Sequence, residues 1–357
     1  MRVFITAIIT LLLIVTSLCA PARACTAFSH KTSEGIIYAA NLDQLSLITE
    51  GLVFVNRRGI AKENIRDNAD GTKLNWVSQY GSITFNIAGR GFAWSGMNEA
   101  GLVITALEWR DSEYPASDKR APLDIGFWAQ YILDNFASVD EVIKADAKVR
   151  LITDGGFPNH FLVTDAKGRS AALEYIDGKL EVYTDNNLPV SAMSNMSYAR
   201  ALEAYQNDGP RWWWSNPGRS SERFATAAKR MSSFASTKDL NATPYAFDTL
   251  VKVADQYTKW SVVYNIDMRK IWFRTITSGE IKSVTMDSFD FSCTSPLLMI
   301  DVDTTLKGNV SKAFIPYNRQ VNQRVFTTGL DRLGIKINKQ DADNLMLTFE
   351  GFKCAVE

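Results

Sequence analysis

Behind Arg2, residues Val3–Leu18 form an almost wholly apolar, uncharged run, and Pro21 ends it just ahead of Ala22-Arg23-Ala24. The pattern then changes to short strand-like segments. Thr26–His30 and Gly35–Ala40 are joined by the turn-like Lys31-Thr32-Ser33-Glu34, and Leu52–Asn56, Ser82–Ala88 and Phe92–Ser95 follow, rich in β-branched and aromatic residues. Met97-Asn98-Glu99-Ala100-Gly101 reads as a turn into Leu102–Leu107. Helical spacing takes over next. Asp124 stands where it could cap a helix to about Asn135, and Ser138-Val139-Asp140-Glu141 is a capping box opening a second helix. Strands are predicted at His160–Thr164, Ala171–Tyr175 and Leu180–Tyr183, helices near Tyr198–Gln206, Ser221–Ser233 and Pro244–Asp255, then strands at Trp260–Ile266 and Lys270–Ile276. Strand blocks separated by helical blocks predict an α+β domain with mainly antiparallel sheets.

The first 24 residues have the layout of a secretory signal: a basic start, an apolar stretch and a small-x-small cut site. The apolar run is short for a membrane span, and no later stretch reaches the roughly 20 apolar residues a span needs. The expectation is an exported chain, periplasmic or secreted, that begins at Cys25 and forms one domain over residues 25–357. Lipoprotein signals also end just before a cysteine. They usually carry Leu three residues upstream, where this chain has Ala22. Lipidated Cys25 is therefore the rival reading.

Charge narrows the partners. The chain has 39 basic and 39 acidic residues, and loss of Arg2 and Arg23 leaves it near neutral. Such a balance gives no electrostatic case for nucleic acid or an anionic membrane surface. No Pro/Gly/Ser-rich linker or repeat divides the sequence. Of the four cysteines, Cys19 would leave with the signal. Cys293 and Cys354 could then pair in an oxidising compartment, leaving Cys25 as the odd thiol. The alternative, Cys25 in a disulfide and another cysteine free, stays open.

A cysteine at a mature N-terminus carries a nucleophile and a base on one skeleton. Its α-amine has a reference pKa of about 8 and its thiol about 8.5, so the amine can take the thiol proton during attack on a carbonyl. No histidine is required, which suits a chain with only His30 and His160. His160 sits in an apolar run and reads as a satisfied core histidine. There is no CxxC, no HExxH and no Gly-rich phosphate loop, and this chemistry needs neither metal nor cofactor.

Several motifs then fall in order: Cys25-Thr26-Ala27, Asn41-Leu42-Asp43, Gly96-Met97-Asn98-Glu99-Ala100-Gly101-Leu102, Asp185-Asn186-Asn187, Ser194-Asn195, Glu222-Arg223-Phe224 and Tyr257–Tyr264. Together they resemble the choloylglycine hydrolases, the family of conjugated bile salt hydrolases and penicillin V acylases. The resemblance implies the N-terminal nucleophile fold, a four-layer αββα sandwich of two antiparallel sheets between helices. It also implies cleavage of linear, non-peptide C–N amide bonds through a thioester acyl-enzyme. Carried over to this chain, Cys25 is the nucleophile, Asp43 holds its amine and thiol, Asn195 offers its side-chain amide to the oxyanion, Glu108 its backbone N–H, and Arg223 favours the thiolate. Without the resemblance, Asp43 could cap a turn, Asn195, which opens the sequon Asn195-Met196-Ser197, could be a surface-loop residue or a helix cap, and Arg223 could lie on a helix surface.

Two positions depart from the family pattern. Bile salt hydrolases have Arg-Asn-x-Asp where this chain has Ala40-Asn41-Leu42-Asp43, so the thiol loses a helping charge. Glu108 replaces asparagine or tyrosine, and its carboxylate opposes a nearby thiolate or oxyanion. Both changes predict an altered substrate preference or pH optimum. Trp212-Trp213-Trp214 are too bulky to face inward together from one element. They read either as a wall gripping an apolar acyl group or as packing at a subunit interface of a homo-oligomer. The substrate expected is a small N-acyl amide: a conjugated bile salt, penicillin V, an N-acyl homoserine lactone or a fatty-acid amide. A non-catalytic exported binding protein on the same fold is the rival function.

Overall fold

The computed structural model describes residues 25–44, 50–68, 70–71, 73–153, 158–207, 217–235, 241–332 and 335–355. Two sheets dominate. The first has seven strands in the order Ala192–Ser194, Thr26–Thr32, Gly35–Asp43, Thr258–Asn265, Lys270–Thr275, Lys282–Thr285 and Gly308–Asn309. The second has nine, in the order Lys179–Thr184, Ser170–Ile176, Asn159–Thr164, Val103–Glu108, Ala93–Asn98, Ser82–Asn86, Leu52–Asn56, Leu298–Asp301 and Ile315–Pro316. Pairing is antiparallel throughout both, except where Lys282–Thr285 meets Gly308–Asn309. The predicted strands all form, most with ends shifted by a residue or two.

The sheets pack face to face through apolar side chains, and their central strands are buried almost continuously because helices cover the other face. Phe85 meets Phe273 edge-on at 5.2 Å and Trp94 meets Trp260 at 6.1 Å. Polar groups trapped between the sheets are paired, as burial demands. The Tyr38 hydroxyl donates to the Leu162 carbonyl at 3.0 Å, and Tyr264 and Ser95 share a 2.8 Å hydroxyl contact. Replacing a fully buried ring such as Phe85 with alanine costs about 3–5 kcal/mol.

Helices cover both outer faces. Label α1 Ile125–Asn135, α2 Val139–Ala145, α3 Tyr198–Gln206, α4 Pro217–Ala235, α5 Ala242–Lys252, α6 Arg319–Arg332 and α7 Lys339–Gly351. Phe224 and Ala227 of α4 and Phe247 and Leu250 of α5 pack on the seven-stranded sheet. Trp128 and Ile132 of α1, with Val139 and Val142 of α2, cover Ile104, Phe161 and Val163 of the other sheet. The result is helix, sheet, sheet, helix: the αββα sandwich. The Ser138 capping box is present, Ser138 accepting from Glu141 N–H and Glu141 Oε2 from Ser138 N–H at 2.9 Å. Asp124 occupies the N-cap position of α1 without capping it. Its carboxylate reaches instead toward Arg66, 3.4 Å away.

The predicted turn before Val103 is tight. Gly101 has φ +85°, and a Cβ there would meet the Arg269 guanidinium at 2.5 Å. Arg269 donates to the Glu99 and Ala100 carbonyls and so fastens that turn to the opposite sheet. Several features lay outside the sequence expectations, among them the strands Lys282–Thr285 and Leu298–Asp301 and the parallel pair Ala121–Asp124 and Val149–Ile152. A small sheet joins Ile60–Asp67, Lys73–Val77 and Lys353–Cys354, and α6 and α7 follow the sandwich. Cys293 and Cys354 form a disulfide, leaving Cys25 as the free cysteine among the described residues.

Candidate active site

Cys25 lies at the start of Thr26–Thr32, and strand register decides which way it faces. Ala27 pairs with Ala40 and Thr26 with Asn41, so one further step sets Cys25 opposite Leu42. Directly opposed residues share a face. Cys25 therefore points with Ala27 and Ala40 into the space between the sheets. Thr26, Asn41 and Asp43 share the opposite, helix-covered face, where the Asn41 amide donates to the Leu250 carbonyl of α5 at 2.8 Å. The thiol lies 3.9 Å from the Asp43 carbonyl.

Arg223 of α4 reaches under this strand end. Its Nε donates to Thr26 Oγ1 at 3.0 Å, and one Nη donates to Asn195 Oδ1 at 3.0 Å and to Ser220 Oγ at 3.1 Å. Asn195 sits in a bend just after Ala192–Ser194, the edge strand beside Thr26–Thr32. Its Nδ2 donates to the Glu108 carbonyl at 2.6 Å. One guanidinium and one amide thus link Thr26, Asn195 and Glu108 in a chain. Arg223 is only 7 % exposed, which sets aside the helix-surface reading. Asn195 belongs to the same network and is not part of a free surface loop.

Glu108 ends its strand. Trp109 N–H donates to the Pro158 carbonyl at 2.9 Å, so Glu108 and Asn159 form a non-hydrogen-bonded pair. The Glu108 N–H consequently points away from strand Asn159–Thr164, toward the side where pairing with Ala93–Asn98 has ended at Ser95–Thr105. Its carboxylate is held by Arg110 Nε at 3.0 Å.

Burial controls the acidities. It pushes the Cys25 thiol up to about 12, with the negative charges of Asp43 and Glu108 adding to the rise and Arg223 opposing it. Burial likewise raises the Asp43 carboxyl to about 8 against the pull of Arg223, the Thr258 hydroxyl and Lys259. Neither Asp43 oxygen makes a well-formed hydrogen bond among the described residues. Near neutrality this thiol is un-ionised, so its proton must leave as the sulfur attacks. In this chain the Cys25 nitrogen is a peptide amide joined to Ala24, and only chain cleavage there makes it a base.

Cys25, Asp43 and Glu108 line one cavity of about 190 Å³. Most of its remaining wall is apolar: Ile65, Ile87, Phe92, Phe127, Leu330, Ile335, Ile337 and Leu345. Asn195 and Arg223 are not among its lining residues. Trp212, Trp213 and Trp214 lie outside the described residues. His160 is fully buried and bonded through Nδ1 to Glu174 at 2.8 Å, a core histidine. Sequence reasoning passed over Thr26, Ser220 and the wall residues from α6 onward. Asn318 and Asn338 were available signals, since each accepts from the backbone N–H three residues on and opens a helix.

Two facing antiparallel sheets between helices, with a cysteine at the head of an inner strand, are the architecture of N-terminal nucleophile hydrolases. The family described as linear amide C-N hydrolases, choloylglycine hydrolase family, matches residues 25–211, and the chain belongs to it. A penicillin V acylase of Pectobacterium atrosepticum is 33% identical over 172 residues, 43% of this chain and 46% of that protein. The aligned stretch thus spans under half of that relative. Among solved structures, penicillin V acylase from Agrobacterium tumefaciens superposes with a TM-score of 0.70 at 24% identity, covering 82% of this chain and 98% of that one. A mutant of conjugated bile acid hydrolase from Clostridium perfringens gives 0.62 at 14% identity, covering 80% and 98%. These two likenesses establish the shared fold.

Proposed function

We propose that this chain is exported, is cut after Ala24, and then acts as an N-terminal cysteine amidohydrolase on linear amides with an apolar acyl group. The observation that carries the reading is the meeting of a buried thiol, an apolar cavity and the Arg223–Asn195–Glu108 chain at one strand end. Cleavage frees the Cys25 amine, which takes the thiol proton as Sγ attacks the amide carbon. Asn195 keeps a second Nδ2–H beside the one given to Glu108, and with the Glu108 N–H it faces the developing oxyanion. Donors so arranged contribute roughly 3 kcal/mol. The amine passes its proton to the leaving nitrogen as the C–N bond breaks. Water then hydrolyses the thioester, releasing the acid and restoring the thiol.

Family relatives act on penicillin V and conjugated bile acids by name, and in both of those compounds the amine half is an acid. The mostly apolar lining among the described residues suits the acyl half. The candidate substrates are conjugated bile salts, penicillin V, N-acyl homoserine lactones and fatty-acid amides. The test combines intact mass of the exported protein with turnover of a panel holding all four substrate types. A mature chain starting at unmodified Cys25, active on acyl amides and silenced by Cys25→Ala, is the expected result. A different N-terminus, lipid on Cys25, or an unaffected Cys25→Ala variant defeats it. Ligand binding without turnover by a correctly processed chain leaves the binding-protein reading.

A further inference from the structure

From this cavity we infer that the C-terminal helix pair α6–α7 is the distal wall of the acyl pocket and sets the longest acyl chain accepted. The inference rests on the amidase reading for the identity of the ligand. Leu330 at the end of α6, Ile335 and Ile337 between the helices, and Leu345 on α7 line the cavity that also holds Cys25. All four lie beyond residues 25–211, the stretch that matches the family. Their side chains are branched aliphatics, suited to a hydrocarbon chain and unable to bind a polar group.

The wall is fixed rather than hinged. Phe326, Leu330 and Met346 cluster on Ala88. Gly329 lies so close to the Ala88 backbone that an added Cβ would stand 2.5 Å from its Cα. On α7, Phe349 meets Phe92 at 6.1 Å and Phe127 at 5.4 Å. Just past α7, Lys353–Cys354 pairs with Ala61 and Ile60, and Cys354 is bonded to Cys293. The strand it joins, Ile60–Asp67, also brings Ile65 to the cavity. A wall anchored by packing, strand pairing and a disulfide stops a growing acyl chain at a defined length. Ile337, 36% exposed, marks its rim.

The experiment uses one amine half and acyl chains from four to twelve carbons, with the variants Ile335→Trp and Leu345→Trp to thicken the wall and Leu345→Ala to thin it. Thickening costs four-carbon chains least. For chains long enough to reach the wall it lowers kcat/KM about fourfold per methylene displaced, moving the preferred length down by two or more carbons. Leu345→Ala moves it up. Calorimetric binding of the same series to each variant in the Cys25→Ala background gives a readout independent of catalysis. If no amide is turned over yet the length preference in binding shifts, the amidase reading falls and the wall stands. If wild type is active and neither kinetics nor binding changes with chain length across the variants, the wall is overturned. Equal losses at every length, with an unchanged unfolding midpoint, overturn it too.

Discussion

Arg223→Met removes the group that ties the strand end to the oxyanion residues while keeping the apolar stem. Three hydrogen bonds go, to Thr26, Asn195 and Ser220 at 3.0, 3.0 and 3.1 Å. Bonds from a charged donor contribute about 1.5–3 kcal/mol each, and buried acceptors left behind add their own cost. Thr26 is fully buried. Some relaxation offsets these losses, so the net destabilisation expected is about 2–4 kcal/mol. Activity should suffer more. With Asn195 Oδ1 released, its amide is no longer aimed, and losing one oxyanion donor costs about 10²–10³ in kcat. Arg223 also lowers both the Asp43 and the Cys25 pKa, so its removal shifts the pH–rate profile upward. Arg223→Lys separates the two effects, because an ammonium keeps the charge but cannot span Thr26 and Asn195 as the planar fork does. It should restore the pH profile and leave kcat low. Urea unfolding and steady-state kinetics against pH decide the matter. Arg223→Met with kcat within threefold of wild type, or Arg223→Lys indistinguishable from it, refutes the reasoning.

Asp43 predicts a pH dependence of stability in the chain still joined at Ala24. Its folded pKa, about 8, lies above the ordinary value near 4. Between these pH values the folded state keeps a proton that the unfolded chain has released, so stability falls as pH rises through that window, by several kcal/mol in all. Asp43→Asn should flatten the curve in urea titrations at pH 4.5 to 8, and an unchanged slope counts against the assignment. Lys62 and Asp134 form a buried pair at 2.7 Å, with Asp134 also accepting from Trp76 and Gln130. Lys62→Met strands the carboxylate and should cost about 3 kcal/mol or more. The double variant Lys62→Met/Asp134→Leu should recover much of that. A single-variant loss below 1 kcal/mol would show the pair to be unimportant.

The sandwich was legible because its strands and helices obey local rules. The apolar run Ile36–Ala40, turn residues at Glu99–Gly101 and the Ser138 capping box each act within a few residues. The pieces that escaped have contacts distant in sequence. Ile60–Asp67 is mostly exposed and charged, and it holds its place by pairing with Lys73–Val77 and Lys353–Cys354. Asp124 has cap chemistry by sequence, yet Arg66 takes its carboxylate.

For the candidate site, sequence by itself singled out Cys25, through the small-x-small tripeptide before it, and marked Asp43, Glu108, Asn195 and Arg223 by motif. Those are matters of residue type and short spacing, which a chain carries without folding. Tertiary structure alone decided that Cys25 faces the inter-sheet space while Asp43 shares the helix-covered face, because a register of one residue assigns each side chain to a sheet face. It alone decided that Asn195 gives an N–H to Glu108 and that Arg223 is buried. It also brought Leu330 and Leu345, some 300 residues from Cys25, onto the same cavity. Long-range packing sets such contacts, and no local pattern encodes which distant helix will close a pocket.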